Sequence, residues 1–219
     1  TFMGVNSKHH LSIAEELMQE RIKRRFMEQG VLMRLPSTIY IEADVEIVGE
    51  SILENGVTLL KGSRIENSHI KAHSIVEKSV VKDSDIGPMA RIRPDSLIEN
   101  THIGNFVEVK SSTIGEGTKA GHLTYLGNAQ VGKEVNFGAG TILANYDGKN
   151  KFTTTIGDNA FIGSNSTIIA PLIIGDRALT AAGSVITKEV AADAIAIGRG
   201  RQENKEGYAK HCPHHPEKK

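Results

Sequence analysis

From Ile156 onward, large aliphatic residues return every six positions, at Ile156, Ile162, Ile168, Ile174 and Ile186, with Thr180 the one lapse. The same step links Ile41, Ile47, Leu53, Leu59 and Ile65. A third run holds Ile86, Ile92 and Ile98, then moves by one residue to Ile103 and Val109. A period of six fits neither the 3.6 of a helix nor a simple alternating strand. It requires a chain that turns a corner every six residues, with one aliphatic pointing inward on each flat side and small residues filling the corners. Three sides close a coil of about 18 residues, which predicts an all-β, triangular parallel β-helix. Residues 38–190 hold about eight coils of that length. Such hexapeptide prisms wind left-handed, an exception to the right-handed crossover rule. The alternative is a β-sandwich with fortuitous spacing, and three separate runs that keep the period argue against it.

Composition supports a thin, repetitive β-structure. Trp is absent, aromatics are 5% of the 219 residues, and Gly numbers 22. Lys+Arg 26 balances Asp+Glu 26, so the basic excess of a nucleic-acid or membrane-surface binder is missing. With 39% hydrophobic and 24% charged residues the chain reads as a folded protein. No apolar run approaches the roughly 18 residues of a membrane helix, and no signal-peptide core opens the chain. A single cysteine, Cys212, cannot form an internal disulfide, which predicts a reducing, cytoplasmic setting. Thr1 at the start suggests a fragment of a longer chain.

Ahead of the repeats, Ser12 and Glu15 have the S-x-x-E spacing of a capping box at a helix start. Leu11, Ala14, Met18, Ile22 and Phe26 make a helical stripe that Gly30 ends. The expected organisation is a linker helix within 11–37, the repeats over 38–197, and an arm and tail over 198–219. The repeat is expected to break step between Ala120 and Val131, and again between Asn145 and Ile156. The second break, NYDGKNKFTTT, is polar and Gly-containing, the type of loop on which binding chemistry tends to sit.

The segment KAGHLTYLGNAQVGKEVNFGAGTILANYDGKNKF, residues 119–152, carries a specific resemblance, extended by RIRPDS before it and NKEGYAK after it. It resembles the acetyltransferase part of the bacterial bifunctional N-acetylglucosamine-1-phosphate uridyltransferase/glucosamine-1-phosphate acetyltransferases. The opening GVNSKHHLSIAEE is similar to the junction where the uridyltransferase domain of that family ends, so residues 1–10 read as its remnant. The uridyltransferase domain itself is missing from the sequence. Asn6 matches a family position that contacts the nucleotide sugar and its Mg2+, and it has that role only together with the missing domain.

The resemblance implies acetyl transfer from acetyl-CoA to the amine of glucosamine-1-phosphate. That chemistry needs a proton acceptor on the amine and stabilisation of an oxyanion. Histidine, with an ordinary pKa of about 6.5, suits the first task. Of the 9 histidines, His122 alone lies in a Gly-flanked stretch, AGHLTYLG, and it falls on the family's general base. Glu108 is a candidate to orient its imidazole, or an exposed carboxylate without a role. The resemblance gives Arg93 and Lys110 to the sugar phosphate and Tyr125 and Asn136 to the remaining sugar contacts. It gives Ala139, Asn145, Tyr146, Ser164, Ala182 and Arg199 to acetyl-CoA, the small residues letting the pantetheine arm lie against the prism wall. Lys151 is a further basic residue of the loop that could approach phosphate. The family's sites lie between neighbouring prisms of a homotrimer.

Two other classes compete. A γ-class carbonic anhydrase shares the prism but needs three histidines converging on zinc with an open fourth position. His69 and His73 lie in early coils, and His102 and His122 lack a third partner. A non-catalytic prism is the other, and the presence of His122, Lys110 and the NYDG loop argues against it.

Overall fold

A computed structural model describes residues 4–211; Cys212 lies outside them. One α-helix, α1 (Lys8–Glu28), precedes a parallel β-solenoid with three faces. Face A has ten strands, from Leu32–Met33 through Lys119–His122 to Ile195–Ala196. Face B has nine, from Tyr40–Ile41 through Tyr125–Gly127 to Val185–Ile186. Face C has eight, from Glu46–Val48 to Leu172–Ile174. Apart from the final pair on face A, where an isolated bridge of Ile174 with Val190 stands for the face C strand, neighbours within each face are three strands apart in sequence, so the chain visits every face once per turn.

The turns outnumber the eight expected because face A begins at Leu32 and many coils are shorter than 18 residues. His69 pairs with Asp85, Asp85 with His102 and His102 with Lys119, steps of 16 and 17. A corner shortened by one residue explains the shift from Ile98 to Ile103. Inward side chains stack coil on coil: Leu53, Ile70, Ile86 and Ile103 on face A, Leu59, Val76, Ile92 and Val109 on face B, all with 0% exposure. Thr180, the lapse in the pattern, is an inward residue too; its Oγ1 accepts the Gly163 N–H at 3.0 Å.

The expected break between Ala120 and Val131 is not there. Ala120 takes the inward place on face A, paired with Ile103 on one side and Phe137 on the other. The larger Phe137 ring fills the core beside the small Ala120, so the column continues without a large aliphatic at that step. The second break is real. Asn136 pairs with Phe161, a step of 25, and the extra residues leave the prism between Asn145 and Phe152 before the Phe152 N–H rejoins Asn145 O at 2.9 Å.

Corners are filled by buried hydroxyls that hydrogen-bond along the stack. The N–H of Ser68 donates to Ser51 Oγ, that of Ser84 to Ser68 Oγ and that of Thr101 to Ser84 Oγ, at 3.2, 3.1 and 3.0 Å. Small residues serve here because they fit the bend and supply the acceptor that a tightly turned backbone lacks.

Helix α1 starts earlier than the capping-box spacing suggested. Ser7 is the N-cap and its Oγ accepts the His10 N–H at 3.1 Å. Ser12 lies inside the helix and its hydroxyl donates to His9 O. Only the second half of the apolar stripe is buried: Ile22 and Phe26 close the end of the core, while Leu11 and Met18 are exposed. Two side chains fix the helix on the first coil. Gln19 Nε2 donates to Ile41 O at 2.9 Å and its Oε1 accepts the Ile41 N–H at 3.0 Å, completing an edge strand that has no preceding coil. Lys23 Nζ donates to Pro36 O and Ile39 O, and burial holds its pKa below the ordinary lysine value. Replacing Gln19 by Ala strands both polar groups of Ile41 and should cost about 1–3 kcal/mol, read as a lower urea midpoint at unchanged m-value.

Candidate functional site

At the edge between faces A and B, the constant rise of the solenoid places equivalent corner residues directly over one another. Asn105 pairs with His122. The pairings of Ala120 with Phe137, Phe137 with Ile162 and Ile162 with Thr180 carry that column on to Ala139, Ser164 and Ala182. Backbone bonds join its members: Leu123 N–H to Asn105 O, Asn165 N–H to Ala139 O and Gly183 N–H to Ser164 O, at 3.0, 2.8 and 2.8 Å. Arg199 adds its guanidinium at the far end, donating to Ala182 O at 2.7 Å. His122 is exposed at the end of its strand, and its carbonyl accepts the Thr124 hydroxyl. Four of the expected acyl-donor residues and the expected base thus share one edge.

Face B beside this edge carries the cations. Arg93 Nη1 donates to Glu108 Oε1 at 2.7 Å, and this carboxylate raises the arginine's pKa. Glu108 is therefore held by Arg93 rather than by the imidazole of His122. Lys110 lies one coil on from Arg93. Its pKa is pulled below the ordinary lysine value, first by the adjacent Lys151 ammonium, then by the Arg93 charge and partial burial. Tyr125 pairs with Glu108 across the coils and lies over Gly127, where a Cβ would collide with Tyr125 Oη and Asn145 Nδ2. The absence of a side chain at 127 is what lets the phenol settle against the prism wall.

The excursion after Asn145 is a compact hairpin. Asn145 is buried and its Nδ2 donates to Asn128 Oδ1 at 2.7 Å. Tyr146, exposed, bridges to Lys151 and its hydroxyl donates to Gly148 O. Asp147 Oδ1 accepts the N–H groups of Asn150 and Lys149, at 2.6 and 2.8 Å, a turn that sends the chain back and brings Lys151 to Lys110. Sequence reasoning ranked Lys151 only as a further cation; the clue that ranks it higher is its place after an NYDG turn, opposite Tyr146 on the returning strand.

Not every expected residue joins this group within one chain. Asn136 faces outward on face A, between Lys119 and Phe161, around the edge from Tyr125. Asn6 precedes α1, exposed, with its N–H toward His10 Nδ1. One exposed amide does not by itself hold Mg2+, which takes carboxylates and several waters. Among the described residues no group of three His, Cys, Asp or Glu could hold a metal ion; His102 instead contacts Asp85 at 2.8 Å.

The coil-and-corner pattern is that of a hexapeptide repeat. Residues 153–188 match the family model of the bacterial transferase hexapeptide (six repeats). Over a longer stretch the chain is similar to bifunctional protein GlmU. It is 59% identical over 198 residues to that of a Nitratiruptor species, covering 90% of this chain and 46% of the relative. It is 55% identical to that of Streptococcus agalactiae serotype V over 99% of this chain and 51% of the relative. The chain therefore spans about half the length of the curated relatives it matches. Among solved structures, UDP-N-acetylglucosamine acyltransferase from Campylobacter jejuni aligns with a TM-score of 0.50 at 14% identity, covering 76% of this chain and 71% of that one, a likeness of fold.

The hairpin turn gives a pH signature. The N–H groups of Asn150 and Lys149 hold the Asp147 carboxyl below its usual range. Its contribution to turn order is then complete above the ordinary Asp value of about 3.9 and fades as pH falls through the depressed folded value. Protection of the Lys149 and Asn150 amides, measured as exchange relative to the intrinsic rate at each pH, should fall on acidification below that range, and Asp147→Asn should weaken this dependence.

Proposed function

We propose that this chain is an acetyltransferase that moves the acetyl group of acetyl-CoA to the amine of glucosamine-1-phosphate, as one part of a bifunctional enzyme making UDP-N-acetylglucosamine in the bacterial cytoplasm. The observation that carries the reading is the placement of Arg93 and Lys110 on face B, with Lys151 of the hairpin brought against Lys110, on the face that adjoins the edge bearing His122. Three clustered cations with one carboxylate among them suit a phosphate dianion. The shared edge of His122, Ala139, Ser164 and Ala182 suits an extended thioester arm, with Arg199 toward a CoA phosphate and Asn145 and Tyr146 flanking it. The relatives named bifunctional protein GlmU support the same assignment.

In this mechanism Arg93 and Lys110 fix the acceptor by its phosphate, and Tyr125 and Asn136 orient the sugar. His122 takes a proton from the ammonium. The freed amine attacks the thioester carbon, the C–N bond forms, and the tetrahedral oxyanion collapses with cleavage of C–S. The electron pair leaves with sulfur, and the second proton shed by the nitrogen passes to the departing thiolate, giving the CoA thiol. The backbone N–H of Ala139 would receive the oxyanion.

The left-handed winding of the prism and its assembly as a homotrimer belong to this reading. Asn136 on face A and Tyr125 on face B would then meet one acceptor from neighbouring copies. Phe161, Leu179 and Ile195 form an apolar column on face A, 46%, 42% and 60% exposed, that such packing would cover. A cleft of about 670 Å³ between α1 and the first coil lies several coils from His122 and has no part in this reading. The division into a domain remnant over 1–10, a linker helix over 11–37, a catalytic prism over 38–197 and an arm over 198–219 is part of the same proposal, as is a role for Asn6 with Mg2+ in a complete uridyltransferase domain.

Thiol release from acetyl-CoA in the presence of glucosamine-1-phosphate tests the reading. His122→Ala should lower kcat by about 10²–10⁴-fold with the fold intact. A variant as active as the parent removes His122 as the base. Lys110→Ala and Lys151→Ala should each raise KM for the sugar phosphate by about 10- to 100-fold, as loss of a charge-assisted hydrogen bond of about 1.5–3 kcal/mol implies, with KM for acetyl-CoA little changed.

A further inference from the structure

Three glycines lie within strands of the described residues: Gly104, Gly121 and Gly127. Gly104 is required by stacking, because a Cβ there would run into the backbone of Gly121 in the next coil. Gly127 is required by the Tyr125 ring and Asn145. Further along the Gly104 column, Gly138 and Gly163 are required by the backbones of Ser164 and of Thr180 and Ala182. Gly121 is different. A Cβ there would meet no atom within 4 Å, and its φ lies outside the left-handed region. Neither conformation nor contact within the chain calls for glycine, although glycine weakens a strand. Gly121 is the residue directly before His122.

We propose that Gly121 is a specificity-determining residue whose missing side chain leaves room beside the imidazole for the acyl group being transferred, and so limits the size of that group. The inference rests on the acetyltransferase reading and adds to it the residue that meets the acyl methyl. The acceptor's cations stand on face B, on the other side of His122, whereas Gly121 faces out on the face A side. Its neighbours in the next coil are Gly138 and Ala139, the latter in the edge column assigned to the thioester arm. The carbonyl under attack must come within about 3–3.5 Å of the amine, which in turn sits within hydrogen-bond reach of His122. A small group on that carbonyl then falls over residue 121.

The test is an acyl-donor series, acetyl-CoA and propionyl-CoA, on the full chain and on Gly121→Ala, with unliganded Tm and solution mass measured in parallel. A single methyl placed against a fitted group is worth roughly 10- to 200-fold. Gly121→Ala should lose at least about 10-fold in kcat/KM for acetyl-CoA and more for propionyl-CoA. The KM for glucosamine-1-phosphate should move less than about twofold, and Tm and solution mass should stay at the parent's values or Tm rise slightly. Equal kinetics would overturn the inference. So would a loss falling on the sugar phosphate KM, which would assign the space to the acceptor, or a changed solution mass, which would assign it to another copy. A fall in Tm would show that the fold needs the glycine. A parent that releases thiol from no donor would overturn the acetyltransferase reading itself, and the assignment of Gly121 with it.

Discussion

The stacking of one coil on the next governs everything else in this molecule. Each coil is too short to bury its own aliphatics, and its strands of two to four residues have no partners within the coil. Pairing with the coils before and after satisfies the backbone and covers Ile, Leu and Val side chains at the same time. Because both requirements are met by the same translation along one axis, the register between coils leaves little freedom. A residue's position within its coil then decides whether it faces the core, a corner or solvent.

That strict translation also builds the candidate site. His122 and the small residues Ala139, Ser164 and Ala182 are 17 to 60 positions apart in sequence, yet they stand in one line because each occupies the same corner of successive coils. The cations arise differently. Arg93 and Lys110 come from the repeat, whereas Lys151 comes from the one hairpin that leaves it, held by Asp147 and returned by the bridge to Tyr146. The prism supplies spacing, and the hairpin supplies an extra charge that a strict repeat has no place for.

Much of this was legible in the sequence, for physical reasons that can be named. The six-residue step identified the prism because inward aliphatics are the most heavily constrained positions. It misread Ala120 as a break because pattern reading follows size, and a small residue beside Phe137 fills the same core by sharing volume. It placed the helix start at Ser12 because S-x-x-E is a local signal, while Ser7 three residues ahead of His10 made the actual cap. Tertiary placement was harder to read. Glu108 was a candidate partner for His122, but Arg93 sits one coil away on the same face and is the charge that holds it. Lys151 stood out only once the hairpin folded back. Asn136 was grouped with Tyr125 by resemblance, and a single chain puts them on different faces.

The two ends of the solenoid are not equivalent. At one end Gln19 and Lys23 of α1 occupy the hydrogen-bonding groups that a preceding coil would take, and Ile22 and Phe26 cover the last inward side chains. At the other, among the described residues, the final pairings of Leu179 with Ile195 and Ile174 with Val190 lead into an exposed arm with no comparable lid. For a quasi-one-dimensional array held by nearest-neighbour contacts, fraying starts where the terminal unit has the fewest contacts. The molecule therefore has a direction of unravelling. The coils that carry Ser164 and Ala182 open before the one that carries His122, so the edge that would cradle a long cosubstrate is the first part to gain freedom when the structure loosens.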